Sequence, residues 1–197
     1  GLKELFNLKI SDEEITLICQ KAEHNFVGTK CGIMDQYAVI NGKANHFLLL
    51  DCQTIKSSLI PANLDGYQLI LLNTNVSHNL STSEYNKRTQ ECKSALEKIN
   101  IAYPEYKFLC DVPAEVIKNY KNQLLVNEYK RALYVSEENE RTIKAAKYLV
   151  EGEISELGKL LYSSHQGLRD LYKVSCKELD FLVAVSYTHL TLPTNSN

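Results

Sequence analysis

Hydrophobic and polar positions near the N-terminus follow the period of a helix. After Ser11, four apolar side chains recur at the spacing of one helix face: Ile15, Ile18, Ala22 and Phe26. Ser11 and Glu14 form the S-x-x-E pattern of a capping box, and glycine, here Gly28, commonly ends a helix. The pattern therefore predicts a helix that begins after Ser11 and ends at Gly28, followed by a loop over residues 28–36.

Two later apolar runs lack the helical period and predict buried strands. The first spans Asn45 to Cys52, with uninterrupted apolar residues from Phe47 to Leu50. The second spans Tyr67 to Asn73. Residues 61–66 lie between the two runs and are rich in turn formers, which predicts a connector and a division of the chain at this point.

From residue 81 onward the pattern is mainly helical. Two further S-x-x-E patterns precede apolar residues at helical spacing: Ser81 with Glu84, and Ser175 with Glu178. Pro113 suits the first turn of a helix. Amphipathic stretches run from Tyr129 to Val150 and from Ile154 to Leu168, with Gly152 between them. The order of elements predicts a mixed chain in which strands come before helices.

Residues 185–197 differ from the rest of the chain. They contain no Lys, Arg, Asp or Glu, and the run from Val185 to Thr194 is similar to one reading frame of a transposon-type sequencing adapter. We therefore expect a non-native tail that buries nothing designed to match it, so that its removal leaves the thermal midpoint unchanged; a native polar tail is the alternative. Because the chain begins at Gly1 rather than Met, we also expect a segment of something larger.

Composition narrows the classes of partner and compartment. The 22 basic and 24 acidic side chains give a formal net charge of −2, which provides no electrostatic footprint for nucleic acid or an anionic membrane. The longest apolar run, Phe181 to Val185, is far shorter than the roughly 20 residues of a membrane-spanning helix. Six cysteines without a C-x-x-C pair favour reduced thiols over metal or disulfide sites. We expect a soluble, cytoplasmic monomer.

Two acidic residues are candidates for chemistry. Glu23 lies near the C-terminal end of the first predicted helix, where the helix dipole disfavours an anion and a cation such as Mg²⁺ could balance it; a solvated glutamate is the alternative. Asp35 follows Met34 and lies close to Gly32, a setting that suits a proton acceptor. Asp35 could equally be the N-cap of a helix that begins at Gln36. The residues alone leave these alternatives open.

Five motifs lie in a fixed order along the chain: Ala22-Glu23-His24, Cys31-Gly32-Ile33-Met34-Asp35-Gln36, Asn73-Thr74-Asn75-Val76, Ser83-Glu84-Tyr85-Asn86 and Val174-Ser175-Cys176-Lys177-Glu178-Leu179-Asp180. Together they closely resemble the galactokinases, a family of the GHMP small-molecule kinase superfamily. The resemblance implies an α+β fold with the two-domain GHMP kinase architecture, incomplete at both ends. Residues 1–63 would form the end of the N-terminal domain and residues 64–184 most of the C-terminal domain, with 185–197 as the tail.

The resemblance also implies roles for individual residues. Asp35 is similar to the family's catalytic aspartate, which takes or orients the proton of the galactose C1 hydroxyl. Glu23 is similar to the family's magnesium-binding glutamate. Gly32 corresponds to a backbone contact with the sugar, and Tyr85 to a tyrosine whose hydroxyl touches the substrate; an aromatic side chain packed on a helix face is the alternative for Tyr85.

The implied function is the ATP-dependent phosphorylation of galactose to galactose 1-phosphate, with ATP as co-substrate and Mg²⁺ as cofactor. This family binds the triphosphate with a Gly- and Ser-rich loop at a helix N-terminus. The eight glycines of this chain are scattered and form no such loop, so we expect the chain alone to be inactive. The alternatives are a kinase for N-acetylgalactosamine or arabinose, and a galactokinase-like sugar sensor that performs no chemistry.

Overall fold

The computed structural model describes residues 2–76 and 82–190, without the side chains of residues 82–85 and 189–190. Within these ranges the helices are α1 (Leu2–Leu5), α2 (Asp12–Ala22), α3 (Met34–Asn41), α4 (Thr82–Ile99), α5 (Ala114–Asn119), α6 (Val126–Glu151), α7 (Ile154–Gly167) and α8 (Lys177–Val185). The strands are β1 (His46–Asp51) and β2 (Lys56–Pro61). Three π-helical turns (Glu23–Val27, Leu168–Tyr172 and Ser186–Leu190) and one 3₁₀ turn (Leu109–Asp111) complete the described elements.

The first predicted helix forms with the expected ends. The Ser11 hydroxyl accepts a hydrogen bond from the Glu14 amide at 3.1 Å, and the Glu14 carboxylate accepts one from the Ser11 amide at 2.7 Å. These two bonds form the capping box and satisfy amide groups that the helix itself leaves free. After α2 the backbone widens into the π-helical turn, and Gly28, with φ of +83°, ends it. Both predicted ends are confirmed.

The described sheet is a single antiparallel pair in which Asp51 of β1 lies opposite Lys56 of β2. The prediction of a strand over residues 45–52 is confirmed by β1. The second strand, β2, was not predicted because three polar residues, Lys56 to Ser58, hide its strand character. The turn between the strands depends on Asp51, whose carboxylate accepts hydrogen bonds from the Gln53 amide at 2.9 Å and the Thr54 hydroxyl at 2.7 Å. These hydrogen bonds lower the pKa of Asp51.

The predicted strand from Tyr67 to Asn73 is wrong. Residues 67–76 form no helix or strand, and the side chains of Leu69 and Leu71 are 82% and 99% exposed. Among the described residues no strand pairs with this segment. A strand is stable only when its backbone groups find partners on a neighbouring strand, so apolar residues alone do not produce one.

The predicted capping box at Ser175 is also wrong. Helix α8 begins one residue later, with Cys176 at the N-cap, and the Ser175 hydroxyl donates to the Asp180 carboxylate at 2.6 Å. The side chain that would have capped the helix is therefore engaged elsewhere. The corresponding prediction at Ser81 lies outside the described residues.

The main hydrophobic core lies where α4, α5 and α6 meet. Its seven buried residues are Ala95, Ile99, Leu109, Val112, Ile117, Leu124 and Ala132. The fully buried alanines Ala95 and Ala132 lie on α4 and α6, where small side chains permit close contact of the two helices. Pro113 immediately precedes α5 as its N-cap, and Gly152 ends α6 with φ of +74°. The predominantly helical character predicted after residue 81 is confirmed for the described part of this region.

Glu128 ties the start of α6 to α4. It is 4% exposed, and its carboxylate accepts hydrogen bonds from Lys98 at 2.6 Å, Ser94 at 2.7 Å and the Leu125 amide at 2.8 Å. Burial raises the pKa of this carboxyl, but the three hydrogen bonds and the charge of Lys98 together outweigh burial, and the pKa of Glu128 is lowered overall. The buried charge is therefore fully partnered.

The first residues of the predicted tail pack on the fold. The Tyr187 ring meets the Tyr162 ring of α7 edge to face, with 4.9 Å between centroids, and the Ser186 and Tyr162 hydroxyls are 3.3 Å apart. These two residues therefore contact α7, where the backbone continues α8 into a further turn. The expectation that removal of the tail leaves the thermal midpoint unchanged stays a prediction. The non-native origin of the tail stays a prediction.

Among the described residues, no helix combines the length and apolar character needed to cross a membrane.

Two glycines of α7 allow a matched test of the packing against α6. A Cβ atom on Gly167 would lie 2.7 Å from the ring of Tyr134, whereas one on Gly158 meets nothing within 4 Å. Tyr134 is 8% exposed, and burial raises its pKa to about 12. We expect Gly167→Ala to lower the free energy of unfolding by roughly 1–3 kcal/mol because the ring must move. Gly158→Ala should raise it by about 0.5–1 kcal/mol, since alanine favours a helix. Urea unfolding measures both, and equal effects would contradict the tight contact.

Candidate active site

Asp35 lies in the first turn of α3, and its side chain is exposed. The helix begins at Met34 with Ile33 as the N-cap, so the predicted loop ends three residues earlier than expected and the N-cap alternative for Asp35 is wrong. Ile33 is 7% exposed, and burial of its side chain fixes the start of the helix. A carboxylate in a first turn is stabilised by the positive end of the helix dipole. Among the described residues Asp35 has no ion pair or hydrogen-bond partner for its side chain.

The loop before α3 is held on one side by α2 and its π-helical extension. The Cys31 carbonyl accepts a hydrogen bond from the Gln20 amide at 3.2 Å and lies 2.9 Å from Nε2 of His24. Because a carbonyl can only accept, His24 must carry a proton on Nε2 to make this bond. Gln36 of α3 donates to the Cys31 sulfur at 3.9 Å. Cys31 thus connects the end of the first helix to the start of α3.

On its other side the loop contacts α4 through Asn86. The Asn86 Nδ2 donates to the Gly28 carbonyl at 3.4 Å, and its Oδ1 accepts from the Lys30 amide at 3.2 Å. The first turns of α4 therefore lie beside the loop that contains Gly32. Tyr85 directly precedes Asn86 on α4, but its side chain lies outside the described residues, so its predicted contact with substrate stays a prediction.

The rest of α3 is fixed against the sheet by Tyr37. This residue is 8% exposed, and its hydroxyl is 3.1 Å from the Ser57 hydroxyl of β2. Asn41 donates to the Tyr37 carbonyl at 3.1 Å. A helix whose buried face is anchored in this way holds its exposed first turn, including Asp35, in one direction.

Glu23 opens the π-helical turn after α2 and is half-buried. Its backbone carbonyl accepts the Gly28 amide at 3.0 Å, and its carboxylate has no ion-pair or hydrogen-bond partner among the described residues. Those residues contain no cluster of three His, Cys, Asp or Glu side chains able to hold a metal by themselves. A single free carboxylate fits Mg²⁺, because this ion keeps several waters and binds one or two carboxylates together with substrate phosphates.

A buried charged network lies beside the site on α4. Arg131 of α6 donates from Nε to the Glu91 carboxylate at 2.8 Å and also donates to the Leu171 carbonyl. Arg88 donates from Nε to the Tyr172 carbonyl at 2.9 Å. The two guanidinium groups thus bind carbonyls at the end of the π-helical turn after α7, where the helix dipole is negative. Neither Asn86 nor this network was identified from the sequence as part of the site.

Comparisons with known proteins bear on these motifs directly. Residues 1–43 match the family model of the GHMP kinases N terminal domain. The galactokinase of Thermotoga maritima is 43% identical over 183 residues, which are 93% of this chain and 50% of that protein. The galactokinase of Clostridium beijerinckii is 41% identical over 187 residues, 94% of this chain and 48% of that protein. A crystal structure of Lactococcus lactis galactokinase complexed with galactose matches with a TM-score of 0.90 at 32% identity, covering 95% of this chain and 48% of that chain.

The chain is a homologue of the galactokinases. It spans about half the length of the curated relatives it matches. The predicted α+β fold is confirmed as a galactokinase-like fold, rich in helices with a small sheet. The assignment of Asp35, Gly32, Tyr85 and Glu23 to individual roles stays a prediction.

Two of the five galactokinase-like motifs, the one that begins at Asn73 and the one that begins at Val174, meet at a second place in the fold. Asn73 and Thr74 line a cavity of about 380 Å³, and the other lining residues belong to α8: Lys177, Glu178, Phe181 and Leu182. The structure thus brings together motifs that are about one hundred residues apart in the sequence. The resemblance had identified both motifs without assigning them a role.

Proposed function

We propose that this chain contributes the proton acceptor and part of the sugar site to an enzyme that phosphorylates galactose at the C1 hydroxyl with ATP. The observation that supports this most strongly is the match to a galactose-complexed galactokinase, which covers 95% of this chain with a TM-score of 0.90. Asp35 acts as proton acceptor, Gly32 and Tyr85 contact the sugar, and Glu23 binds Mg²⁺. The position of Asp35, exposed in the first turn of α3, is compatible with this role.

Asp35 assists the C1 hydroxyl of galactose, which by itself is a poor nucleophile. As the C1 oxygen of galactose forms its bond to the γ-phosphorus of ATP, the bond between that phosphorus and the bridging oxygen breaks and ADP leaves. The hydroxyl proton passes to the Asp35 carboxylate, which aligns the hydroxyl and accepts the proton in the transition state. Because the helix dipole favours the anion in a first turn, the carboxylate is available as a base.

The loop over residues 28–33 supplies the backbone contact to the sugar. Gly32 is exposed, and a Cβ atom at this position would meet nothing within 4 Å. The hydrogen bonds at Cys31 and from Asn86 hold the loop on both sides, which orients the contact before substrate binds.

Glu23 would hold Mg²⁺ through its carboxylate, with the remaining positions left to water and phosphate oxygens. When bound, this ion neutralises charge that develops on the transferring phosphoryl group. The hydrogen bond from the Gly28 amide to the Glu23 carbonyl fixes the backbone of the π-helical turn, which leads directly into the loop before Asp35.

A chimaera tests the proposed function. This chain replaces the matching 183-residue segment of Thermotoga maritima galactokinase, and the parent enzyme is the positive control. We expect ATP-dependent formation of galactose 1-phosphate, measured by coupled release of ADP. A folded chimaera that binds galactose without turnover would support the sugar sensor instead, and turnover of N-acetylgalactosamine or arabinose in preference to galactose would support a related sugar 1-kinase.

The 197-residue chain by itself should neither bind nucleotide nor phosphorylate sugar. It has no Gly-rich loop to present backbone amides to a triphosphate. Isothermal titration calorimetry with ATP and Mg²⁺ should therefore show no binding at ATP concentrations up to about 1 mM. A Kd of about 1 mM corresponds to a binding free energy of about −4 kcal/mol. Binding in this range would mean that the nucleotide site lies within the chain.

A further inference from the structure

Asn86 connects α4 to the loop that leads to Asp35 with both ends of its side-chain amide. Its Oδ1 accepts from the Lys30 amide at 3.2 Å, and its Nδ2 donates to the Gly28 carbonyl at 3.4 Å. The partners are 56 and 58 residues away in the sequence, so the contact belongs to the tertiary fold. A single side chain that satisfies a backbone donor and a backbone acceptor two residues apart fixes both the position and the direction of the loop.

The loop depends on side chains because its backbone has no regular structure. Residues 28–32 belong to no helix or strand. On the side of α2, Gln20 and His24 hold the Cys31 carbonyl. On the side of α4, the hydrogen bonds described to the backbone of Gly28 and Lys30 both come from Asn86. Loss of Asn86 would therefore remove these two hydrogen bonds to α4 while leaving the hydrogen bonds from Gln20 and His24 intact.

We propose that Asn86 is a positioning residue, which holds the Gly28–Lys30 backbone against α4 and thereby sets the place of Gly32 relative to the helix that carries Tyr85. The effect of Asn86 on sugar binding rests on the proposed function, since Gly32 and Tyr85 are predicted sugar contacts. Asn86 and Tyr85 are neighbours in the first turns of α4, so one short helical segment both carries a predicted contact and holds the loop that carries another.

Hydrogen exchange in the 197-residue chain tests, without reference to activity, whether Asn86 holds the Gly28–Lys30 backbone against α4. We call this contact the tether. Replacing Asn86 with alanine removes the acceptor of the Lys30 amide, so that amide should exchange roughly 3- to 10-fold faster, the factor expected for loss of one net hydrogen bond. Asn86→Asp keeps the acceptor and loses only the donor to Gly28, so it should retain most of the protection. Gln90→Ala is the matched control, because it removes an exposed amide one turn further along α4.

The outcomes of the exchange experiment are decisive for the tether. Faster exchange at Lys30 in Asn86→Ala, with no change in Gln90→Ala, supports it. Unchanged exchange at Lys30 in a folded Asn86→Ala chain overturns it. If the alanine variant does not fold, Asn86→Asp still tests the contact, because the exchange at Lys30 should then remain slow while that of other loop amides rises.

Kinetics of the chimaera test the positioning role. A loosened sugar contact should raise the KM for galactose about tenfold in Asn86→Ala and change kcat less than about threefold, with substantial rescue in Asn86→Asp. An unchanged KM in an active chimaera would overturn the positioning role even if exchange at Lys30 is faster. If the unsubstituted chimaera is inactive, the proposed function fails, whereas the exchange experiment still decides whether Asn86 holds the loop.

Discussion

Replacing Asp35 with asparagine in the active chimaera is expected to lower kcat by roughly 10²–10⁴-fold, the usual contribution of general-base catalysis. Asparagine keeps the size of the side chain and can hydrogen-bond the sugar hydroxyl, but it cannot accept the proton. Affinity for galactose should therefore change less than about tenfold, because the lost interaction matters mainly in the transition state. Steady-state rates and galactose titration measure the two quantities separately.

The structure makes this substitution a sharp test, because Asp35 is not an N-cap. The side chain is exposed and has no described partner, so asparagine should cost at most about 1 kcal/mol of stability through the weaker interaction with the helix dipole. Glu13→Gln is the matched control, since Glu13 is also an exposed acid in the first turn of a helix, α2. Near-normal turnover in Asp35→Asn would contradict the catalytic assignment.

The elements that could be predicted from the sequence are those with local causes. The capping box at Ser11 and Glu14 and the left-handed glycines Gly28 and Gly152 act within a few residues, so their sequence patterns are sufficient evidence. The long amphipathic helices α6 and α7 repeat the same signal over several turns. Such features survive almost any tertiary context.

The elements that could not be predicted depend on partners elsewhere in the chain. Residues 67–73 have the composition of a strand, yet among the described residues no strand lies beside them, whereas the polar β2 forms because β1 pairs with it. The side chain of Ser175 fits a capping box, but Asp180 takes its hydroxyl. Pairing and competition of this kind are decided by tertiary structure, to which a local pattern has no access.

The candidate site was predicted in the same uneven way. Charge and spacing left Asp35 and Glu23 with two interpretations each, and only the resemblance to the galactokinases assigned them roles. The structure then removed one alternative, the N-cap, because Ile33 takes that position. Asn86 was quoted within a motif but given no role, since its partners at Gly28 and Lys30 are more than fifty residues away.

Among the charged side chains that join α4, α6 and the turn after α7, Arg131 is expected to contribute most to the stability of the fold. It is 3% exposed, and it binds both the Glu91 carboxylate and the Leu171 carbonyl. Arg131→Met replaces the guanidinium with an apolar side chain. Among the described residues, Glu91 then retains only the longer contact to Arg88, at 3.5 Å. Removing one member of a buried ion pair typically costs about 3–5 kcal/mol, because the remaining charge stays buried without compensation. We therefore expect the free energy of unfolding, measured in urea on the 197-residue chain, to fall by about 3 kcal/mol or more.

A matched control and a double variant separate the buried charge from general effects of the substitution. Lys93→Met removes a cation from the exposed pair that Lys93 forms with Glu97 on α4, whose side chains are 67% and 63% exposed, and it should change stability by less than about 1 kcal/mol. Combining Arg131→Met with Glu91→Leu removes the stranded carboxylate, so the double variant should recover at least about 1 kcal/mol relative to Arg131→Met alone. If Arg131→Met were no more harmful than Lys93→Met, the guanidinium would not be holding the end of the turn after α7. If the double variant were less stable than Arg131→Met, the stranded carboxylate would not be the source of the loss.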